Sequence, residues 1–236
     1  MARQDKQGQD EKGAGLVAYT EPKSAAAEAY RALRTNIQFA SPDKPVRAML
    51  ATSTRPDDGK STTIANLAIT FAASGSPTVL VDADLRRPHL HKIFGLSNDT
   101  GLTTWVSEVA RVGADAATVP VPLQDTMVSN LKVLTSGPVP PNPAEILASQ
   151  RVAELLSLLK ETADYVLIDT PPIIAVTDAA VLAPRVDGVL LVINAGKTRR
   201  DLAVKARDML RQVNATLLGV VLNNASIDKS AYEYYG

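Results

Sequence analysis

Pro56-Asp57-Asp58-Gly59-Lys60-Ser61-Thr62 lies between an apolar run, Ala48-Met49-Leu50-Ala51, and a helix-compatible run, Thr63 to Ser74. A Gly-Lys-Ser step at a strand-to-helix junction predicts a phosphate-binding turn. The backbone N–H groups of such a turn point inward, and the helix N-terminus adds partial positive charge. Lys60 is expected to reach the β- and γ-phosphates of a nucleotide, and the Ser61 hydroxyl to ligate Mg²⁺. The candidate nucleotide-binding set is Arg55, Pro56, Asp57, Asp58, Gly59, Lys60, Ser61 and Thr62. The full pattern asks for a further Gly five residues before Gly59, and Thr54 stands there.

Two other stretches point to the same chemistry. Val79-Leu80-Val81-Asp82-Ala83-Asp84 is an apolar run ending in paired carboxylates, and Tyr165-Val166-Leu167-Ile168-Asp169-Thr170-Pro171-Pro172 is another ending in Asp. Both read as parallel strands buried on both faces. Ligands of open α/β sheets sit beyond the carboxyl ends of the strands. Asp82, Asp84 and Asp169 should therefore converge beside the phosphate loop, where Mg²⁺ needs oxygen ligands. Taken singly, each Asp could equally end a strand or cap a helix.

The 236 residues fit one α/β domain with a sizeable core. Lys+Arg and Asp+Glu are both 25, so bulk charge gives no reason to expect a nucleic-acid partner. The absence of cysteine excludes disulfides, thiol catalysis and zinc-thiolate sites, and fits a reducing compartment. No apolar run approaches the roughly 18 residues of a spanning helix, and the polar N-terminus has no secretory apolar region. A cytoplasmic chain is expected, either whole or as the excised domain of a longer membrane protein.

Strands alternate with helices along the chain, which predicts a mostly parallel sheet with helices on both faces. Residues 1–15 read as disordered, 16–228 as one domain and 229–236 as a tyrosine-rich tail. Ser24 is the expected cap of a helix running to Phe39, broken by Ser41-Pro42-Asp43-Lys44-Pro45. The phosphate-loop helix should stop at Gly75. After Arg86-Arg87-Pro88 an irregular stretch is expected to Gly101, and 113–130 reads as a surface segment. Asn142 and Pro143 should start one helix that continues to Thr162. Strands are expected at 131–135, 188–194 and 217–223, and a helix at 199–213.

These residues resemble the bacterial tyrosine kinases of capsule and exopolysaccharide synthesis, whose P-loop fold is related to the partition ATPases. The resemblance covers Leu16 to Gly236. It rests on the phosphate loop Ser53 to Thr62, on three apolar residues then Asp-x-Asp-x-Arg at Val79 to Arg86, and on an apolar run then Asp-Thr-Pro-Pro at Val166 to Pro172. Glu-x-x-Arg-x-x-Arg at Glu28, Arg31 and Arg34, the Pro140 to Pro143 stretch and a terminal cluster of Tyr232, Tyr234 and Tyr235 complete it. The resemblance implies that Lys60 and Ser61 bind MgATP, that Asp82 is the base for a tyrosine hydroxyl, and that Asp84 and Asp169 support Mg²⁺ beside Ser61. It implies phosphorylation of the tyrosine cluster in trans within a ring-like homo-oligomer that uses Glu28, Arg31 and Arg34. The implied partners are the cytoplasmic tail of a membrane activator of the polysaccharide co-polymerase type and a protein-tyrosine phosphatase. The implied location is the inner face of the plasma membrane.

Asp57 departs from the family's usual Gly. A carboxylate there should repel polyphosphate unless a cation intervenes, and its β-carbon should strain the turn. Arg55, where partition ATPases carry lysine, partly offsets the charge. Arg86 and Arg87 are either surface charge or a clamp for phosphate or an acidic tail. Asn223 and Asn224 are either a strand-end turn or, as in the related ATPases, an adenine contact. His89 and His91 are expected at the surface, and Trp105 in packing. Three functions fit: an autokinase, a partition-type ATPase, and a nucleotide-binding scaffold disabled by Asp57.

Overall fold

The computed structural model describes residues 15–40, 44–113 and 116–225. The expected disordered segment apart from Gly15, the expected break at Ser41 to Asp43 and the three terminal tyrosines lie outside the described residues. The helices are α1 (Val17–Thr20), α2 (Ala25–Phe39), α3 (Lys60–Ala73), α4 (Leu90–Phe94), α5 (Leu102–Val112), α6 (Pro143–Ala148), α7 (Gln150–Thr162), α8 (Asp178–Leu182) and α9 (Arg200–Gln212). The strands are β1 (Ala48–Ser53), β2 (Thr78–Asp82), β3 (Gln124–Asp125), β4 (Leu131–Leu134), β5 (Tyr165–Asp169), β6 (Gly188–Asn194) and β7 (Leu217–Asn223). They form one sheet in the order β3-β4-β2-β5-β1-β6-β7. Every pairing is parallel except β3 with β4.

Alternation along the central strands sorts side chains onto two apolar layers. Ala48, Leu50, Val79, Val81, Val166 and Ile168 face the layer closed by α5, α7 and α9. Met49, Ala51, Leu80 and Leu167 face the layer closed by α2, α3 and α4. Both faces are covered, so after Thr78 and Tyr165 at their starts these strands carry no polar residue until their carboxyl ends. Helix α3 is buried from Thr63 to Ala72. Each fully buried Leu, Ile or Phe there contributes about 1.5–3 kcal/mol. Buried Asn66 ties the N-terminal segment to α3: its Nδ2 donates to the Gly15 and Thr62 carbonyls, and its Oδ1 accepts from the Ala18 N–H.

Several boundaries follow the expected local chemistry. Ser24 Oγ accepts from the Ala27 N–H, and Gly75, at φ +90°, ends α3. Trp105 is buried, with its Nε1 donating to the Val119 carbonyl. Other expectations are corrected. The helix expected from Pro143 to Thr162 breaks at Ser149, which is extended (φ −60°, ψ 153°). The Arg185 guanidinium, remote in sequence, satisfies the carbonyls of Leu147, Ala148 and Ser149 there. Asn142 sits at the N-cap position, but its side chain donates to Glu145 and caps no N–H. The stretch expected to be irregular after Pro88 contains α4, and the surface segment contributes the antiparallel strand β3. His91 is half-buried, with its Nδ1 enclosed.

Candidate nucleotide site

The strand register brings the site together. Asp82 ends β2 opposite Asp169 at the end of β5, and Asp169 is also in register with Ala51 of β1. The loop leaving β1 therefore opens directly over the two carboxylates. It enters α3 through Gly59, at φ +88°. The first-turn N–H groups of a helix have no partner within it. Gly59, Lys60, Ser61 and Thr62 line a cleft of about 650 Å³ together with Asp84, Arg86 and Arg87.

Lys60 is the hub. Its Nζ lies 2.9 Å from Asp84 Oδ2, 3.3 Å from both oxygens of Asp169 and 3.1 Å from Ser61 Oγ. The Ser61 hydroxyl donates to Asp169. Burial alone would lower the Lys60 pKa, but Asp169 and Asp84 hold it above its usual value. Burial, and then the charge of Asp169, push Asp82 up to about 8. Burial also raises Asp169, with Lys60 and Ser61 opposing. Three carboxyl groups share one ammonium, so burial and the neighbouring carboxylates favour a proton on Asp82 while no cation is bound. Among the described residues no three such side chains form a cage around a metal. Ser61 and Asp84, both bordering the cleft, are oxygen donors of the kind Mg²⁺ takes beside phosphates and waters.

Asp82 and Asp84 are two residues apart and differently placed. Asp82 is fully buried: its Oδ2 accepts from the His89 and Leu90 N–H groups, and its Oδ1 from the Asp84 N–H at 3.3 Å. Asp84 borders the cleft and accepts from the Arg87 N–H. Asp57 and Asp58 divide in the same way. Asp57 is exposed at the cleft with φ +63°, in the left-handed region that Asp tolerates better than most residues. Asp58 is buried and turned away from the cleft. Its Oδ2 accepts from Thr54 Oγ1 at 2.7 Å and the Arg55 N–H at 2.9 Å, and its Oδ1 from Thr198 Oγ1 at 3.3 Å. Arg55 is exposed, and Pro56, also exposed, lines the cleft.

The two arginines left open by sequence also separate. Arg86 makes a bidentate pair with fully buried Asp178, at 2.9 and 3.0 Å, which ties the Asp84 segment to α8. Both arginines are exposed and line the cleft with His89; they differ in that Arg86 is held by Asp178. Asn223 directs its amide nitrogen to the Asp58 carbonyl at 3.1 Å, while Asn224, at φ +55°, forms the strand-end turn. On α2, Glu28 and Arg31 pair with each other at the surface, and Arg31 also donates to the Pro22 carbonyl. Arg34 turns inward and donates to the Thr70 carbonyl of α3 at 2.7 Å. Asp178 and Thr198 are site residues that the sequence reading missed. Asp178 lies 92 residues from the arginine it holds, and neither residue belongs to a local pattern.

A family model described as "ParA: NUBPL iron-transfer P-loop NTPase" matches residues 46–233. What it carries here is the nucleotide-binding P-loop fold. The chain is 45% identical over 222 residues to "Tyrosine-protein kinase YwqD" of Bacillus subtilis, covering 94% of this chain and 91% of that one. It is 39% identical to "Putative tyrosine-protein kinase CapB" of Staphylococcus aureus, covering 94% and 95%. The chain belongs to the bacterial tyrosine-protein kinase family. Among solved structures, the chimerical protein CapA2B2 superposes with a TM-score of 0.83 at 37% identity over 92% of both chains. The kinase domain of Escherichia coli tyrosine kinase ETK gives 0.80 at 33%, covering 90% of this chain and 82% of that one. The cell division ATPase MinD of Pyrococcus furiosus, at 24% identity and a TM-score of 0.61 over 80% and 78%, shares the fold. In this bacterial tyrosine kinase, the Asp-x-Asp and Asp-Thr-Pro-Pro stretches stand around one lysine, as their order in sequence led us to expect. No helix among the described residues is long and apolar enough to cross a membrane.

Proposed function

We propose that this tyrosine kinase uses MgATP to phosphorylate Tyr232, Tyr234 and Tyr235 of a neighbouring copy, in the service of capsule or exopolysaccharide synthesis. The observation that carries the reading is Lys60, held at the mouth of the phosphate loop among Ser61, Asp84 and Asp169. On binding, the β- and γ-phosphates take the place of the carboxylates as partners of Lys60. Mg²⁺, held by Ser61, Asp84 and Asp169, would neutralise phosphate charge. The tyrosine oxygen forms its bond to the γ-phosphorus, the bond to the bridging oxygen breaks, and ADP leaves. Positioning and charge neutralisation supply most of the rate.

The phenolic proton goes to a carboxylate. Asp82 has a raised pKa, which makes it a stronger base than an ordinary Asp. The His89 and Leu90 N–H groups engage its Oδ2, which leaves Oδ1 as the oxygen to take the proton. Asp84, already at the cleft, is the second reading for that role. The pH–rate profiles of Asp82→Asn and Asp84→Asn distinguish the two.

Exposed Glu28 and partly exposed Arg31 are suited to an interface with a second copy. Arg34 supports that face from below through Thr70. The resemblance supports a ring-like assembly at the inner face of the plasma membrane, activation by the cytoplasmic tail of a polysaccharide co-polymerase-type protein, and reversal by a protein-tyrosine phosphatase. The decisive experiment replaces Tyr232, Tyr234 and Tyr235 together by Phe and follows incorporation by intact mass and peptide mapping. Most phosphate should be lost while ATP affinity and melting temperature are kept. Wild-type incorporation in the triple variant would move the acceptor elsewhere. ATP hydrolysis by the wild type with no phosphoprotein would favour the partition-type reading, and neither activity would favour a scaffold.

A further inference from the structure

We propose that Asn223 is a positioning residue that latches the phosphate loop from behind, and that it does not read the nucleotide base. The proposal rests on the reading of the cleft as the phosphate site. Asn223 ends β7, and its own carbonyl is fixed by the Ala195 N–H at 2.8 Å. Its Nδ2 donates to the Asp58 carbonyl at 3.1 Å. The next peptide unit decides what this does. In a trans peptide the C=O and the following N–H point in opposite directions. Anchoring the Asp58 carbonyl to β7 therefore turns the Gly59 N–H away from β7, and Gly59 borders the cleft. The same amide also fills the space beside Gly59: a β-carbon there would stand 1.9 Å from Asn223 Nδ2. Glycine is required twice at this position, for its φ of +88° and for this close approach.

A second brace acts on the same residue. The Asp58 carboxylate accepts from Thr198 Oγ1 at 3.3 Å, and Thr198 in turn holds the end of β6 through the Asn194 N–H at 2.9 Å. The loop that receives phosphate is thus oriented by the ends of two neighbouring strands, β6 and β7.

The test measures binding of MgADP and of magnesium tripolyphosphate, which has no base, to the full chain by calorimetry. In Asn223→Ala both affinities should fall by the same factor, roughly five- to tenfold, the effect of one well-placed hydrogen bond. Thr198→Val should show a smaller loss with the same pattern. Loss of ADP affinity with tripolyphosphate unchanged would make Asn223 a base reader and overturn the latch, as would unchanged binding of both. A merely structural role would lower the melting temperature but leave the affinity of the folded chain intact. If Asn223→Ala does not fold, Thr198→Val decides: unchanged binding of both probes overturns the proposal. A wild type that binds neither probe overturns the cleft reading, and the latch with it.

Discussion

At the amino ends of the strands, Asp187 accepts from the Arg47 N–H at 3.0 Å and the Ala48 N–H at 2.7 Å, with Lys160 Nζ at 3.4 Å. The Arg47 guanidinium satisfies the Lys160 and Ala163 carbonyls. At the carboxyl ends, Asp82, Asp84 and Asp169 gather around Lys60. Residue types are similar at the two edges; the accounts of charge differ. Burial works to raise Asp187, but the Ala48 and Arg47 N–H groups and Lys160 hold it below its usual value. At the other edge burial prevails, and Asp82 is pushed up to about 8. The amino edge is a finished clip that joins β1, β6 and α7. The carboxyl edge gathers buried acidic groups with raised pKa values beside an open cleft, and perturbed groups in a cleft mark a candidate functional site.

The largest effect should come from Lys60→Met. Nucleotide-dependent phosphorylation should fall by at least about a hundredfold, as when a preorganised donor to developing charge is removed. The fold should survive at neutral pH, because the carboxylates freed of Lys60 can take up a proton. Radiolabel incorporation and a melting curve together check this. Near-wild-type phosphorylation would mean that the two edges do not differ in function.

Asp187→Ala should show the converse. Two backbone donors lose a charged acceptor at a half-exposed site, so stability should fall by about 1–2 kcal/mol in urea unfolding. ADP affinity should be unchanged.

The pH dependence sharpens the contrast, because the two edges carry opposite signs. Without nucleotide or magnesium, the folded chain holds the Asp82 proton more tightly than the unfolded chain does. Its contribution is complete below pH about 4 and is lost as pH rises through about 8. Asp187 is depressed, so its contribution is present above about pH 4 and is lost as pH falls through its folded value. Urea midpoints between pH 4 and 8 should decline less steeply in Asp82→Asn than in wild type. An identical slope would remove Asp82 as the source. The smallest effect should come from Lys160→Met, the partner of Asp187 in a partly exposed pair at 3.4 Å. A change within about 0.5 kcal/mol and full phosphorylation are expected, although the substitution is chemically the same as at Lys60.

Read from the sequence, the central strands, the phosphate loop, Ser24 at the start of α2 and Gly75 at the end of α3 all stand where they were expected. Each depends on neighbours a few residues away: apolar runs, a cap three residues before the N–H that donates to it, a glycine free of the β-carbon penalty. The break at Ser149 depends on Arg185, and α4 and α8 are too short for periodicity to announce them. The terminal tyrosines were legible as a motif, and they lie outside the described residues.

The order of the motifs along the chain, with the rule that parallel strands present ligands at their carboxyl ends, was enough to place Lys60, Asp82, Asp84 and Asp169 in one site. Only the tertiary structure decided what each side chain does within it. It buried Asp82 and left Asp84 at the cleft, tied Arg86 but not Arg87 to Asp178, and turned Asn223 toward Asp58. Local sequence sets backbone propensity and apolar period. Partner choice and burial are set by strand register and by contacts between residues tens to more than a hundred positions apart, and no local pattern encodes them.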